Sequence, residues 1–269
     1  MVRRSSRSRE PGEVRRQKIV DLLRSEGYLR STDISLNFDV SDETARRDLS
    51  LLDEQGHLRR VRGGAILPEA IEETEPSRAH REVADIKAKR EIAVIARSFI
   101  ENGQTVFFDV GTTVETAAAV LAPDFHGRVV TTSLHVGMIL AASTNIEVEM
   151  IGGRVRPQEF TVHGSDALQS LSNYSADVAI IGCGGVTVDE GITDFTPGDI
   201  PLKRVMIEHS ARSYVLADAS KIGKVAVRHI CPVSEVDAVI TDASIDPSFI
   251  DPLRRADVEV LRPERLEMS

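Results

Sequence analysis

From residue 105 onward the chain keeps one rhythm: a short β-rich run, a loop of glycines and small hydroxyls, then a stretch at helical spacing. Strand candidates cover 105–108, 128–131, 147–151, 177–181, 213–217 and 238–241, with a short last one at 258–261. Helical spacing covers 113–121, 134–142, 166–172, 202–209 and 247–255. An earlier helix at 86–100 carries Ile92, Ile95, Ala96 and Phe99. Such alternation specifies parallel strands joined by crossover helices, so an α/β domain with a mostly parallel sheet is expected.

Ligands of such sheets bind outside the carboxyl ends of the strands, and those ends are legible. The stretch "VFFDVGTTVETAAAVL" leaves its first strand through Asp109, Val110, Gly111, Thr112 and Thr113. Later ends give Thr132 and Ser133, then Gly152, Gly153 and Arg154, then Gly182, Cys183, Gly184 and Gly185, and last Asp218 through Lys221. Glycine lets the backbone approach an anion, helix N-termini present unpaired N–H groups to it, and hydroxyls add donors. Lys221, Arg154 and Lys203 supply charge. For any single loop, turn geometry alone explains the glycines, and Asp218 reads equally as a cap for the turn before Lys221. Several such loops along one edge suit a phosphorylated sugar or polyol.

The first seventy residues differ in charge and in pattern. Residues 1–67 hold a net charge of +3, with all but one of their cations arginine, against −12 for the rest. An arginine-rich module on an acidic body is expected where one part meets a polyanion, although a basic tail on an ordinary protein has the same charge. The spacing predicts helices at 14–26, from Ser31 or Thr32 to Phe38, and from a cap at Ser41 to Gln55, with Gly27 ending the first. Asp42 and Glu43 sit favourably in the last helix's first turn. Ala45, Leu49 and Leu52 form its inward stripe and leave Thr44, Arg46, Arg47 and Ser50 facing elsewhere. Polar side chains near the start of the last helix of such a trio reach base edges in the major groove. "GHLRRVRGGAIL" then predicts a hairpin wing, turning at Gly63 and Gly64, with Arg59, Arg60 and Arg62 along the DNA backbone or minor groove. The residues bet on for DNA are therefore Ser41, Thr44, Arg46, Arg47, Arg59, Arg60 and Arg62.

The stretch "VSDETARRDLSLLDEQGHLRRVRGGA" resembles the signature of the DeoR family of bacterial transcriptional regulators, through Val40, Ser41, Arg46, Arg47, Asp48, Leu49, Leu52, Gly56, Arg60, Gly63, Gly64 and Ala65. Ala45 stands where isoleucine is usual and Arg62 where histidine is usual. Farther along, "DVGTT", "VVTTS", "IGG", Gly164, "GCGGV…EGITD", "PLKRVMIEHS" and "LADASKIGK" are similar to that family's C-terminal sensor. The resemblance implies a fold like ribose-5-phosphate isomerase and glucosamine-6-phosphate deaminase, and an effector that is a phosphorylated sugar or polyol. It places Asp109, Gly111, Thr112, Thr113, Lys203 and Lys221 at the effector site, while Val110 and Thr132 depart from the usual serine and asparagine. With the loop reading, the candidate set adds Thr132, Ser133, Arg154 and Gly184.

Sugar-phosphate isomerisation needs a carboxylate base and commonly a second acid. Asp109, Glu190 and Asp194 are candidates. Yet the loop 182–186 has no carboxylate, and Glu190 and Asp194 fall in a turn-rich stretch that reads as a solvated loop. Cys183 has no histidine nearby in sequence and reads as a small core residue. The expectation is no catalysis and no cofactor or metal. The chain then reads as a repressor of carbohydrate-metabolism genes, binding operator DNA as a homo-oligomer under control of a phosphorylated effector. An isomerase-type enzyme with an accessory basic domain is the alternative.

The expected organisation is a disordered basic tail at 1–13, a winged helix-turn-helix at 14–67, a linker at 68–84 with a short helix after Ser77, and the sensor at 85–269. No apolar run approaches the roughly 18 residues that span a bilayer. The basic "MVRRSSRSRE" is not followed by the apolar segment of a secretory signal, and two scattered cysteines suit a reducing compartment. A cytoplasmic protein without membrane partners is expected.

Overall fold

A computed structural model of the protein describes residues 11–26, 28–61, 64–68, 71–72, 75–121 and 124–263. They form two compact units that divide between Ile71 and Glu72. Arg62, Gly63 and Gly27, and most of the expected basic tail, lie outside the described residues.

The smaller unit has three helices and a three-stranded antiparallel sheet: α1 (Gly12–Glu26), β1 (Tyr28–Arg30), α2 (Ser31–Asn37), α3 (Asp42–Glu54), β2 (Arg59–Val61) and β3 (Gly64–Ile66), with β3 central. Helix α1 starts two residues before the expected one, and β1 was not expected. Its three residues pair with β3, placing Leu29 opposite Ala65 in the core. The expected cap of α2 is corrected: Arg30 takes the N-cap position, without a side-chain hydrogen bond. Asp39 turns the chain with φ +50°, and Ser41 Oγ accepts from the Thr44 N–H at 3.2 Å to cap α3. Such a cap contributes about 1 kcal/mol. Ala45, Leu49 and Leu52 are buried, with Ile19, Leu23, Ile34 and Leu58 around them. Asp48 is buried beside them and bonds Arg15 at 2.6 Å and Arg16 at 3.2 Å, tying α3 to α1.

A short strand, β4 (Ile71–Glu72), lies at the division. The larger unit follows with α4 (Arg78–Val83), α5 (Ile86–Arg97), β5 (Thr105–Phe108), α6 (Thr112–Leu121), β6 (Gly127–Thr131), α7 (Leu134–Ala141), β7 (Ile146–Met150), β8 (Arg154–Arg156), β9 (Thr161–His163) and α8 (Ser165–Leu171). Next come β10 (Ala176–Gly182), β11 (Gly185–Thr187), β12 (Gly191–Asp194), α9 (Ile200–Glu208), β13 (Ser210–Leu216), β14 (Val225–Ala226), β15 (Arg228–Cys231), β16 (Ala238–Ile240), α10 (Ile250–Arg255) and β17 (Glu259–Leu261). The helix expected at 247–255 opens as a 3-10 turn, Pro247–Phe249, before α10.

All seven expected strands join one parallel sheet in the order β17-β16-β13-β10-β5-β6-β7. Such sheets are covered on both faces, so their strands read as apolar runs. Val106 and Phe108 pack with Ile92, Ala96, Val114, Ala118 and Leu140 on one face. Phe107, between them, packs on the other with Val130, Ile181, Val215 and Met206. From β5 the chain proceeds outward through β6 and β7, then returns to β10 and proceeds the other way. The strand order therefore reverses between β5 and β10, where open α/β sheets form their ligand crevice. A hairpin, β8–β9, and an antiparallel sheet, β11-β12-β15, build walls beside it.

The expected linker is in part folded structure. Ser77 caps α4 as anticipated, and residues 75–84 belong to the larger unit, bound by long-range ion pairs.

Candidate nucleic-acid interface and effector cavity

On α3 the sequence Arg46-Arg47-Asp48-Leu49 divides by helical geometry into two exposed arginines and two buried residues. Arg46 and Arg47 lie exposed beside the helix start. The Ser41 hydroxyl is committed to the cap and shares a hydrogen bond with Thr44 Oγ1 at 2.9 Å, so both side chains order the first turn. On the wing Arg59 and Arg60 are exposed, and Arg60 donates to Ser50 Oγ at 2.9 Å, which joins wing to helix. The candidate Arg62 falls outside the described residues.

In the larger unit a cavity of about 240 Å³ opens at the carboxyl ends of β5 and β10. Gly111, Thr112, Thr113, Gly184, Lys203 and Lys221 of the candidate set line it. Gly111 turns the chain with φ +117°, a conformation only glycine adopts without strain, and so presents the start of α6. At Gly184 a side chain would meet the Phe195 ring at 2.7 Å. Lys221 is set by a 3-10 turn that Asp218 caps, accepting from the Ser220 N–H at 3.1 Å, and its Nζ donates to the Cys183 carbonyl at 2.9 Å. Thr112 Oγ1 reaches the Arg81 carbonyl at 3.4 Å.

Four candidates behave otherwise. Asp109 is 1% exposed and turns inward: it accepts from the Gly182 N–H at 2.8 Å and bonds Lys203, so it braces the two loops instead of lining the cavity. Thr132 and Ser133 do not reach the cavity. Ser133 caps α7, and the Thr132 carbonyl accepts from the Val162 N–H at 2.8 Å, which anchors the β8–β9 hairpin. Arg154 is exposed and away from the wall; Arg156, two residues farther along β8, lines it.

Lys203 is 1% exposed, with Asp109 and Asp194, 3.0 Å away, as its ion-pair partners. Burial opposes its charge, but Asp109, Asp194 and Asp199 outweigh that and hold its pKa above the ordinary lysine range. Asp194, expected in a solvated loop, is thus drawn into the site on β12. Cys183 is buried, and burial pushes its thiol up to about 12, so it is an inert residue as anticipated.

The sequence did not reveal Arg81, Lys89, Arg156, Glu75, Glu159 or Asp199, all of which line the cavity. Arg81 pairs with Glu159 and, at 3.0 Å, with Glu75. Arg156 lies 3.3 Å from Glu75, 3.4 Å from Glu159 and 3.7 Å from Asp199. Lys89 donates to the carbonyls of Arg81 and, at 2.6 Å, Ala84. Burial pushes Asp199 up to about 6 against the pull of Lys203 and Arg156. Among the described residues no group of three His, Cys, Asp or Glu side chains is arranged to hold a metal, and no helix is long and apolar enough to cross a membrane.

Comparison with known proteins bears on both units. Residues 15–70 match the DeoR-like helix-turn-helix domain and residues 84–243 the DeoR C terminal sensor domain. The HTH-type transcriptional repressor GlcR of Bacillus subtilis is 34% identical over 93% of this chain and 95% of its own. The glycerol-3-phosphate regulon repressor of Escherichia coli K12 is 33% identical over 85% and 90%. Among solved structures, ribose 5-phosphate isomerase A of Methanocaldococcus jannaschii matches 50% of this chain and 53% of its own, at 16% identity and a TM-score of 0.38. With both domain types matched in order along the chain, and relatives matched over nearly its whole length, the protein belongs to the DeoR family of transcriptional regulators.

Proposed function

We propose that this regulator represses carbohydrate-metabolism genes and that a phosphorylated sugar or polyol, bound in the larger unit, modulates its hold on operator DNA. The observation that carries the reading is the cavity at the point of strand-order reversal, with the Gly111–Thr113 turn opening α6 into it and Lys221 on its wall. A helix N-terminus beside a lysine is a ready anion site. The similar GlcR and glycerol-3-phosphate regulon proteins are, by their names, repressors, and each is matched over at least 90% of its own length. Arg46, Arg47 and Arg59 are read as the side chains facing DNA, with Ser41, Thr44 and Arg60 holding helix and wing in shape. Operator half-sites are commonly repeated, so the working form is read as a homo-oligomer in the cytoplasm.

The cavity is read as a site of binding without turnover. Of the three candidate base carboxylates, Asp109 and Asp194 are committed to Lys203, and Glu190 does not line the cavity. Coupling requires the effector to bind the DNA-competent and incompetent forms with different affinity. A thermal-shift screen of sugar phosphates, followed by operator binding with each stabilising compound, tests the reading. A compound that raises the Tm and changes operator affinity supports it. Steady turnover of an aldose phosphate by the purified protein overturns it.

A further inference from the structure

Three residues that line the cavity each carry a buried polar atom with no hydrogen-bond partner among the described residues: Thr161 Oγ1, Asp199 Oδ1 and Arg156 Nε. Thr161 is 3% exposed and Asp199 4%. Protein interiors rarely leave such groups unpaired, and each calls for an explanation. The other unpartnered atoms, on Thr132, His135, Thr241 and Arg262, belong to residues that do not line the cavity.

The three are held by the β8–β9 hairpin and the start of α9. Thr161 lies on β9 directly opposite Arg156 of β8, and a further bridge joins it to Ser133. Asp199 stands at the start of α9, where its carbonyl accepts from the Lys203 N–H at 3.0 Å. The Arg156 terminal nitrogens are held by Glu75, Glu159 and Thr196, and Nε is left without a partner. Together they offer one acceptor, one hydroxyl that both donates and accepts, and one donor. That set matches alcohol groups, which also donate and accept. It does not match a second phosphate, which the Asp199 carboxylate would repel.

We propose that Thr161, Asp199 and Arg156 form a second subsite of the cavity, one that takes the hydroxyls of a polyhydroxylated carbon chain whose anionic group sits at the Gly111–Thr113 turn. This rests on the reading of the cavity as an anion site and adds that the hydroxylated chain, as well as the phosphate, is recognised. Specificity among phosphorylated compounds then resides on the hairpin and at the start of α9.

The test measures binding of inorganic phosphate, glycerol 3-phosphate, glucose 6-phosphate and sorbitol 6-phosphate to the full-length protein, wild type and the variants Thr161→Val and Asp199→Ala, by calorimetry with Tm as a second readout. The longer polyol phosphates are expected to bind more tightly than inorganic phosphate. Thr161→Val should weaken them about tenfold, the scale of one hydrogen bond, while leaving inorganic phosphate unchanged. The ligand-free Tm of Thr161→Val should hold or rise, because an unpaired hydroxyl is replaced by a methyl of the same shape. Equal loss for phosphate and polyol phosphates in both variants, or no loss in either, overturns the subsite. With Lys221→Ala and Thr112→Ala measured alongside, binding that is lost in those two but kept in Thr161→Val and Asp199→Ala overturns the subsite alone. If none of the four compounds binds the wild type, the anion reading falls and the subsite with it.

Discussion

The cations on α3 and the wing and those around the cavity are used in opposite ways. On the smaller unit Arg46, Arg47 and Arg59 stand exposed. On the larger unit Arg81, Arg156 and Lys203 are half-buried or buried, and each meets at least two carboxylates. An exposed cation keeps its hydration and gives it up when a polyanion arrives; its contribution is long-ranged and salt-sensitive. A buried, paired cation is already neutralised. Its first task is to hold loops in place, and a small anion must compete with the protein's own carboxylates to reach it. The same residue types are therefore available to a polyanion where they stand exposed and act as a frame where they are paired, as Arg15 does on Asp48 in the smaller unit.

The sharpest way to break that contrast is to remove the most buried cation. Lys203→Met leaves Asp109 and Asp194 without their shared partner, and breaking a buried pair from one side costs about 3–5 kcal/mol. Chemical denaturation should show that loss in the larger unit. A loss below about 1 kcal/mol, the scale of exposed pairs, would mean Lys203 is not the frame described.

Asp199 gives the next largest effect, through pH. Its folded pKa of about 6 lies above the ordinary aspartate value of 3.8, so its charged form is disfavoured in the folded protein. The stability it confers is present below pH 4 and declines as pH rises toward 6. At 1.36 kcal/mol per pKa unit the change is about 3 kcal/mol. Asp199→Asn cannot ionise, so its stability relative to wild type should improve between pH 4 and pH 7. A constant difference across that range would refute the assignment.

The framework was far more legible in the sequence than the cavity wall. All seven main-sheet strands were readable because a sheet buried on both faces demands short apolar runs, and α3 because its cap and stripe obey local rules. The short strands β1, β8, β9, β11, β12 and β15 carry no such signal; three or four residues of mixed character fix no period. The wall was hidden for a different reason. Arg81 meets Glu159 across 78 positions, and Arg156 meets Glu75 across 81 and Thr196 across 40. Nothing local marks a partner that only the fold brings near. Asp109 shows the limit of a motif: its position was readable, but not that its carboxylate turns inward to Lys203 and Gly182.

On the exposed side, Arg46→Ala and Arg47→Ala should each cost about 1–3 kcal/mol of specific operator binding if they reach base edges. Electrophoretic mobility shifts on operator and scrambled DNA separate that from a general loss. A fall that is equal on both sequences would assign them to phosphates instead. In the larger unit, Lys221→Ala and Thr112→Ala should weaken sugar-phosphate affinity about tenfold and leave effector-free operator binding unchanged. Unchanged affinity in both variants removes these residues from the site.

The smallest effect bears most directly on the contrast between the units. If Arg59 lies along the DNA backbone, Arg59→Ala should lower operator affinity modestly and reduce the slope of log K against log salt by about 1. The matching change in the larger unit, Arg156→Gln, should leave that slope where it was, because Arg156 is already neutralised by Glu75, Glu159 and Asp199. Fluorescence anisotropy across a salt series on both variants reads the two slopes together. Equal reductions would show that a cation of the cavity wall also faces the polyanion, and the division of labour between exposed and paired cations would fail.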